Sequence, residues 1–262
     1  MDLNVIYNQD CIIGSKEKIE DNSVDLIVTD PPFAIDFSGL RSNYNRNPLR
    51  VVNEYKDIPE KAYFDFTKEW ITEAKRVLKE EGSMYIFSGW NNLIDILNVL
   101  HELDFKIINH IIWKYQFGMN CTKRFISSHY HLLYVSKGNK KRKFYPYSRF
   151  SSTEKTKDGK RKARYADMED VWTINRENWT GMKKTATKLP AEIIRKILSY
   201  SSDKEDLVVD FFSGSGQVPW VCKEMERSFI AFELNKEAYD LSMERLKTNK
   251  YLILDEQIKK IV

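Results

Sequence analysis

The chain has 262 residues, 42% hydrophobic and 13% aromatic, with 42 Lys and Arg against 38 Asp and Glu for a formal net charge of +4, which fits one large α/β domain with an inserted or appended lobe. Its apolar runs are strand-sized and Met1-Asp2-Leu3-Asn4 is no basic segment followed by an apolar stretch, so neither export nor membrane spanning is indicated and a cytoplasmic location is expected. Cys11, Cys121 and Cys222 stand apart, odd in number and without the paired spacing of a zinc site, so they are expected to be reduced thiols packed as small apolar residues, and no metal is expected.

Strands are predicted near residues 3–9, 24–29, 83–88, 105–113, 129–136, 206–212 and 228–233, with helical segments between most of them, the alternation of a doubly wound, mostly parallel, seven-stranded α/β sheet. The second strand runs directly into Asp30-Pro31-Pro32-Phe33. Two prolines fix backbone φ and remove two N–H donors, so the carbonyl oxygens around Asp30 and Pro31 can face outward as fixed acceptors while Phe33 offers a flat apolar plate. A planar amine fits such a pocket. An ordinary strand-to-loop turn accommodates the same tetrapeptide, and the rest of the chain decides between the two.

Segment 34–62 follows, with Arg41, Tyr44, Arg46, Arg50 and Tyr55; it is too long for a routine connection and reads either as a loop that closes the pocket and grips a ligand or as a loose insertion. Residues 70–82, ahead of the strand at 83–88, fall among the helical segments expected between the strands. Residues 91–103 read as a crossover helix whose core stripe is Leu93, Ile94, Leu97, Leu100 and Leu103.

Residues 137–164 hold twelve Lys or Arg against Glu154 and Asp158, interleaved with Phe144, Tyr145, Tyr147 and Phe150, while the remainder of the chain is net acidic. Cations neutralise phosphates and rings stack on bases, so the segment is either a nucleic-acid surface or a solvated basic loop. Ile193, Ile194, Ile197 and Leu198 mark another core helix. Asp206 to Phe212 then runs into Ser213-Gly214-Ser215-Gly216 and a helix from about Val218 to Met225. Such a turn lets a ligand approach the backbone and faces it with helix N-terminal N–H groups. The third glycine of the dinucleotide fingerprint is missing, which argues against a full NAD site. The last strand ends at Glu233, an acid placed where ribose hydroxyls are gripped, so a nucleoside-containing cofactor is expected. Residues 251–262 read as a small strand and a loose tail.

Together, Asp30-Pro31-Pro32-Phe33 and the Phe212-x-Gly214-x-Gly216 turn resemble the S-adenosylmethionine-dependent amino-methyltransferases of DNA. The order, catalytic motif first and cofactor motif last, is similar to the beta-type permutation of that family, and the resemblance spans nearly the whole chain. It implies a Rossmann-like methyltransferase core: a catalytic half at 1–136, a small basic target-recognition region at 137–185 and a cofactor-binding half at 186–262. It implies catalytic residues Asp30, Pro31, Pro32 and Phe33, and contacts to S-adenosylmethionine from Asp10, Cys11, Asp30, Thr187, Asp210, Phe212, Gly214, Ser215, Gly216, Glu233 and Leu234. Nucleic-acid contacts fall to Arg41, Arg46, Lys140, Lys141, Arg142, Lys143 and Arg161.

The chain departs from the family in having Asp210-Phe211-Phe212 where Asp-Pro-Phe is usual and Gln217-Val218 where two threonines are usual. It has His131 in place of a frequent glutamate, and Thr185-Ala186-Thr187-Lys188-Leu189-Pro190 in place of His-x-Thr-x-Lys-Pro, of which Thr187 and Pro190 carry over. The reaction the resemblance implies is methyl transfer to adenine N6 of a base flipped out of duplex DNA, in a protein associated with the nucleoid through its substrate. Asp30 favours adenine, because the family's cytosine enzymes often carry serine there. A cytosine-N4 enzyme, an RNA or single-strand adenine enzyme, and a DNA-binding relative without turnover stay open. A homodimer and a cognate restriction nuclease are the expected protein partners.

Overall fold

The computed structural model describes residues 1–32, 58–116, 122–123, 125–138, 141–146, 148–149, 166–177 and 188–248. Phe33, segment 34–57 with Arg41 and Arg46, Cys121, Lys140, residues 150–165 with Arg161, Thr187 and the 251–262 tail lie outside the described residues.

The apolar strand runs become β1 (Val5–Tyr7), β2 (Val24–Thr29), β3 (Leu78–Ser88), β4 (Lys106–Lys114), β5 (His129–Ser136), β6 (Val171–Thr173), β7 (Leu207–Asp210) and β8 (Ser228–Phe232). They form one sheet in the order β1-β8-β7-β2-β3-β5-β4-β6. The pairs are parallel except β3/β5 and β4/β5, which are antiparallel. The eighth strand corrects the expected seven: β6 is a three-residue edge strand, too short to show a period, and gains strand geometry by pairing Ile112 with Val171 and Trp113 with Trp172.

Helices α1 (Cys11–Lys18), α2 (Glu60–Val77) and α3 (Leu93–Glu102) cover one face; α4 (Ala191–Ser201), α5 (Gln217–Glu224) and α6 (Lys236–Thr248) cover the other. The alternation of strand side chains sorts them between two cores. Leu26, Val28 and Val208 join the Ile193, Ile194, Ile197 and Leu198 stripe of α4, while Ile27, Val209 and Ile230 join Trp70, Ile71 and Ala74 of α2.

Two expectations shift here. The helix placed at 70–82 ends at Val77, and Leu78 already belongs to β3, because Val24 of β2 pairs with Leu78. In α3 the buried residues are Ile96, Val99 and Leu100, whereas Ile94 is 64% exposed and leaves the predicted stripe.

The chain leaves β2 through α2 toward β3 on one side, and leaves β7 through α5 toward β8 on the other. The carboxyl ends of β2 and β7 therefore flank the point where the winding reverses, the place where open α/β sheets bind ligands.

Candidate active site

Asp30 follows the end of β2 and Asp210 ends β7. The register of Leu26 with Val208 and Ile27 with Val209 makes these ends neighbours, and the Thr29 hydroxyl donates to Asp210 Oδ1 at 3.1 Å across 181 positions of sequence. The early and late motifs thus meet at one edge of the sheet.

The double-proline turn is held from beneath. Tyr63 of α2, fully buried, donates its hydroxyl to the Pro32 carbonyl at 2.8 Å; Asn92 Nδ2 donates to that hydroxyl at 2.6 Å, and Ser88 Oγ to Asn92 Oδ1 at 3.2 Å. Each of these polar groups has a partner, so the chain of bonds fixes the turn against the sheet instead of weakening the core. On the same helix, Trp70 packs against Phe211 and Phe212 with ring centroids 6.1 and 5.5 Å apart, which seats the strand leading into the glycine turn.

The glycine turn is built on two left-handed residues. Gly214 has φ of +52° and Gly216 +73°, a region side chains with a Cβ enter at a cost. Gly216 N donates to the Ser213 carbonyl at 2.9 Å and Ser213 N to that of Phe232 at 2.8 Å, locking the turn to β8. Glu233 then bridges two loops: its carboxylate accepts from Gly214 N and from Asn235 N, both at 2.7 Å. Asn8 Nδ2 donates to the carbonyls of Glu233 and exposed Leu234 at 2.8 and 3.2 Å, tying the end of β1 into the same edge.

Asp10 caps α1, its Oδ1 accepting from Ile12 N at 2.9 Å and Ile13 N at 3.1 Å. Cys11 points into the α2-side core, 5% exposed, and burial beside Asp10 pushes its thiol well up, which fits a packed reduced thiol.

Electrostatically the edge is acidic. Burial pushes the Asp30 carboxyl up to about 8, with the neighbouring Asp210 charge adding to it and Arg176 opposing it. Burial takes Asp210 up to about 7 against the bonds from Phe212 N and Thr29, and Glu233 adds its own charge. Glu233 is raised by burial, opposed by Asn235 N and Gly214 N. Carboxylates this expensive to ionise alone are complementary to a bound cation. Among the described residues, Asp30 Oδ1, Ser213 Oγ and Gln217 Nε2 are among the buried side-chain atoms without a hydrogen-bond partner, and they lie in or directly beside the two motifs. Such orphaned atoms mark positions a ligand would satisfy.

Family, sequence and structural comparisons agree. A model of the DNA methylase family with N6 and N4 members matches residues 24–244. The chain belongs to the N6/N4 DNA methylase family. This methylase is 30% identical over 255 residues to the Type II methyltransferase M.HpaI of Haemophilus parainfluenzae, covering 95% of this chain and 76% of that relative. Its fold is similar to that of the PvuII DNA methyltransferase, described as cytosine-N4-specific, with a TM-score of 0.71 and 18% identity over 93% of this chain and 86% of that one. It is likewise similar to the M1.HpyAVI–SAM complex, with a TM-score of 0.63 and 22% identity over 92% and 98% of the two chains.

S-adenosylmethionine is the methyl donor of the family, and the edge suits it. Its sulfonium and ammonium charges match the raised carboxyls of Asp30, Asp210 and Glu233, and the glycine turn supplies the close backbone approach. Once bound, the donor supplies a methyl group already activated by the sulfonium. Among the described residues no helix of the methylase is long and apolar enough to cross a membrane.

The described start of the basic segment lies away from this edge. Asp25 and Asp206 stand at the starts of β2 and β7, the opposite end of the sheet from Asp30 and Asp210. Lys143 is held there, its Nζ 2.6 Å from Asp206 Oδ1, 3.2 Å from Asp203 and 3.9 Å from Asp25. Burial opposes its charge, but the bonds to Asp206 and Asp203 outweigh that and hold the ammonium above its usual range. Arg142 donates to the Tyr134 hydroxyl at 2.8 Å, and the Phe144 ring stacks between Tyr134 and Tyr200. Residues 142–145 are thus tied to β5, α4 and the start of β7, with Lys143 engaged by carboxylates at that end of the sheet; Lys141 is exposed. Lys143→Glu is expected to lower stability by about 2 kcal/mol, since it sets a fourth carboxylate against three, while leaving the salt dependence of DNA affinity unchanged. Thermal melts and a salt titration of DNA binding check both halves.

Tyr63, Asn92, Thr29 and Arg176 belong to the site yet were not singled out in the sequence. A buried tyrosine or asparagine has no linear signature, because its partner is supplied by the fold.

Proposed function

We propose that the chain is a site-specific Type II methyltransferase that modifies adenine N6 of a base extruded from duplex DNA. The observation that carries this is Asp30: an aspartate, where the family's cytosine enzymes often carry serine, held next to a fixed proline turn with an oxygen shut off from solvent. The exocyclic amine is a poor nucleophile because its lone pair is delocalised into the ring. Asp30 and the Pro31 carbonyl accept its two hydrogens and favour a pyramidal nitrogen. A carboxyl pushed up to about 8 is also matched to take the proton that the nitrogen sheds as it is alkylated. Asp10, Asp210, the 213–216 turn, Glu233 and Leu234 hold the donor, while Phe33 stacks on the extruded base. Much of the rate comes from holding the two reactants in line.

M.HpaI, the Type II relative, supports sequence-specific modification. We extend target recognition to the part of 137–185 beyond the core-packed residues, since β6 brings the end of that segment back to the catalytic edge. A second copy of this chain and a nuclease reading the same site are the partners this function carries. Incubation of DNA with the protein and isotope-labelled donor, followed by mass spectrometry of the nucleosides, is expected to give N6-methyldeoxyadenosine. Label in N4-methyldeoxycytidine would overturn the choice of base, and no labelled nucleoside at saturating donor would leave only a DNA-binding role.

A further inference from the structure

Arg176 lies three residues beyond β6, whose parallel pairing with β4 delivers it to the same sheet end as Asp30. The chain just before it is fixed: Trp113 Nε1 donates to the Ile174 carbonyl at 2.8 Å, and Ile174 N to that of Lys114 at 3.1 Å. From there the guanidinium lies 4.0 Å from the ring centroid of buried Tyr115 and 5.2 Å from that of Tyr130. Those two rings lie 5.5 Å apart and rest on Trp113, at 5.3 and 5.6 Å. Trp113 and Tyr115 belong to the α4-side core together with Val28, and Tyr130 packs against it, so the ring cluster and the strand that leads to Asp30 share one core. A cation stacked on an aromatic pair is thus held at the sheet end that carries Asp30, close enough for its charge to act on that carboxyl.

We propose that Arg176 is a positioning residue for the methyl transfer: clamped on Tyr115 and Tyr130, it holds a positive charge at the Asp30 end of the sheet that offsets Asp210 and favours the carboxylate that accepts the target amine. The proposal rests on the role given to Asp30 above. The groups acting on Asp30 are its own burial and Asp210 of β7, both favouring the protonated acid, and Arg176, favouring the carboxylate. Glu233 of β8 bears on Asp210, and Tyr63 of α2 and Tyr130 of β5 are the titratable groups on which Asp30 in turn acts. Among the described residues, Arg176 is therefore the cation set against this acidic group. A planar guanidinium suits the task because it stacks on rings and keeps its proton across the working pH range.

Removing the charge raises the pH at which Asp30 ionises, so in Arg176→Gln the acidic limb of kcat/KM, which reports the free enzyme, is expected to move up by about one pH unit. At pH 7 activity then falls about tenfold and recovers near pH 9. Arg176→Lys, which restores charge without the planar stack, is expected to recover part of the shift and carries the test if the glutamine variant melts. In donor-free protein, Asp30→Asn is expected to raise the melting temperature more in the Arg176→Gln background than in the wild type, because the carboxyl it removes is then harder to ionise. An unmoved acidic limb, or a loss of activity equal at every pH, would overturn the proposal while Asp30→Asn remains inactive. An active Asp30→Asn protein would instead overturn the reading of Asp30 on which it rests.

Discussion

Asp30→Asn is expected to reduce methyl transfer by roughly a thousandfold or more while making the donor-free protein more stable. The loss follows from replacing a carboxylate, which accepts hydrogens from the target amine and takes its proton, with a neutral amide whose oxygen can still accept a hydrogen bond but cannot take the proton. The gain follows from linkage. The carboxyl titrates near 3.8 when unperturbed and at about 8 in the folded chain, so the folded state holds a proton that the unfolded chain releases. Stability from that proton is present below about pH 4 and is lost as the pH rises toward 8. A neutral amide has no such loss. The stabilisation by Asp30→Asn should therefore grow from near zero at pH 4 to about 2 kcal/mol at pH 8, less than an isolated group would give because Asp210 titrates alongside it. Denaturant melts at several pH values check the sign, and a gain that shrinks with rising pH would reject it. A site that is costly to keep in the folded state yet needed for turnover is an expected trade between stability and function.

Gly216→Ala is the second large effect, and it should act on the fold before the chemistry. With φ at +73°, alanine meets the left-handed penalty, and its Cβ would stand 2.7 Å from Ser242 Cβ and 3.2 Å from Ser242 Cα on α6. Those atoms belong to a packed helix and have nowhere to go. The expected cost is about 3 kcal/mol, or a melting temperature lower by roughly 6–12 °C. Gly214→Ala is the control. Its φ of +52° brings a similar backbone penalty, but a Cβ there meets nothing within 4 Å. It should cost only about 1 kcal/mol in stability and weaken donor binding instead, since the added methyl enters the open space beside the turn. Equal melting temperatures for the two variants would show that contact with α6 does not matter.

The parts of the architecture legible in the sequence were those with a period or a punctuating residue. The buried runs at 24–29, 206–212 and 228–233 read as strands because they are apolar and end in Pro, Gly or an acid, and they lie where expected as β2, β7 and β8. The edge strand β6 was not, since Val171-Trp172-Thr173 carries no pattern and is made a strand by its neighbour. Ile94 misled because adjacent Leu and Ile at a helix start leave the buried side undetermined until the helix is docked. The site divides in the same way. Asp30 and the glycine turn are marked by backbone-restricting residues beside them, whereas Tyr63, Asn92 and Arg176 act through partners far away in sequence. Lys143 shows the converse: a basic run announces charge, but its carboxylate partners Asp25, Asp203 and Asp206 come from other segments.

Tyr63 and Trp70, which brace the proline turn and the glycine strand respectively, lie on one helix seven residues apart, a separation of about 10.5 Å along its axis. The helix is thus a ruler between the two halves of the reaction, and its phase matters more than its composition. Exposed positions such as Lys68 and Glu69 can change freely, but deleting a single residue between the two braces would swing one of them through about 100° and away from its motif. Natural variation in this stretch should therefore take the form of substitutions, with gaps excluded.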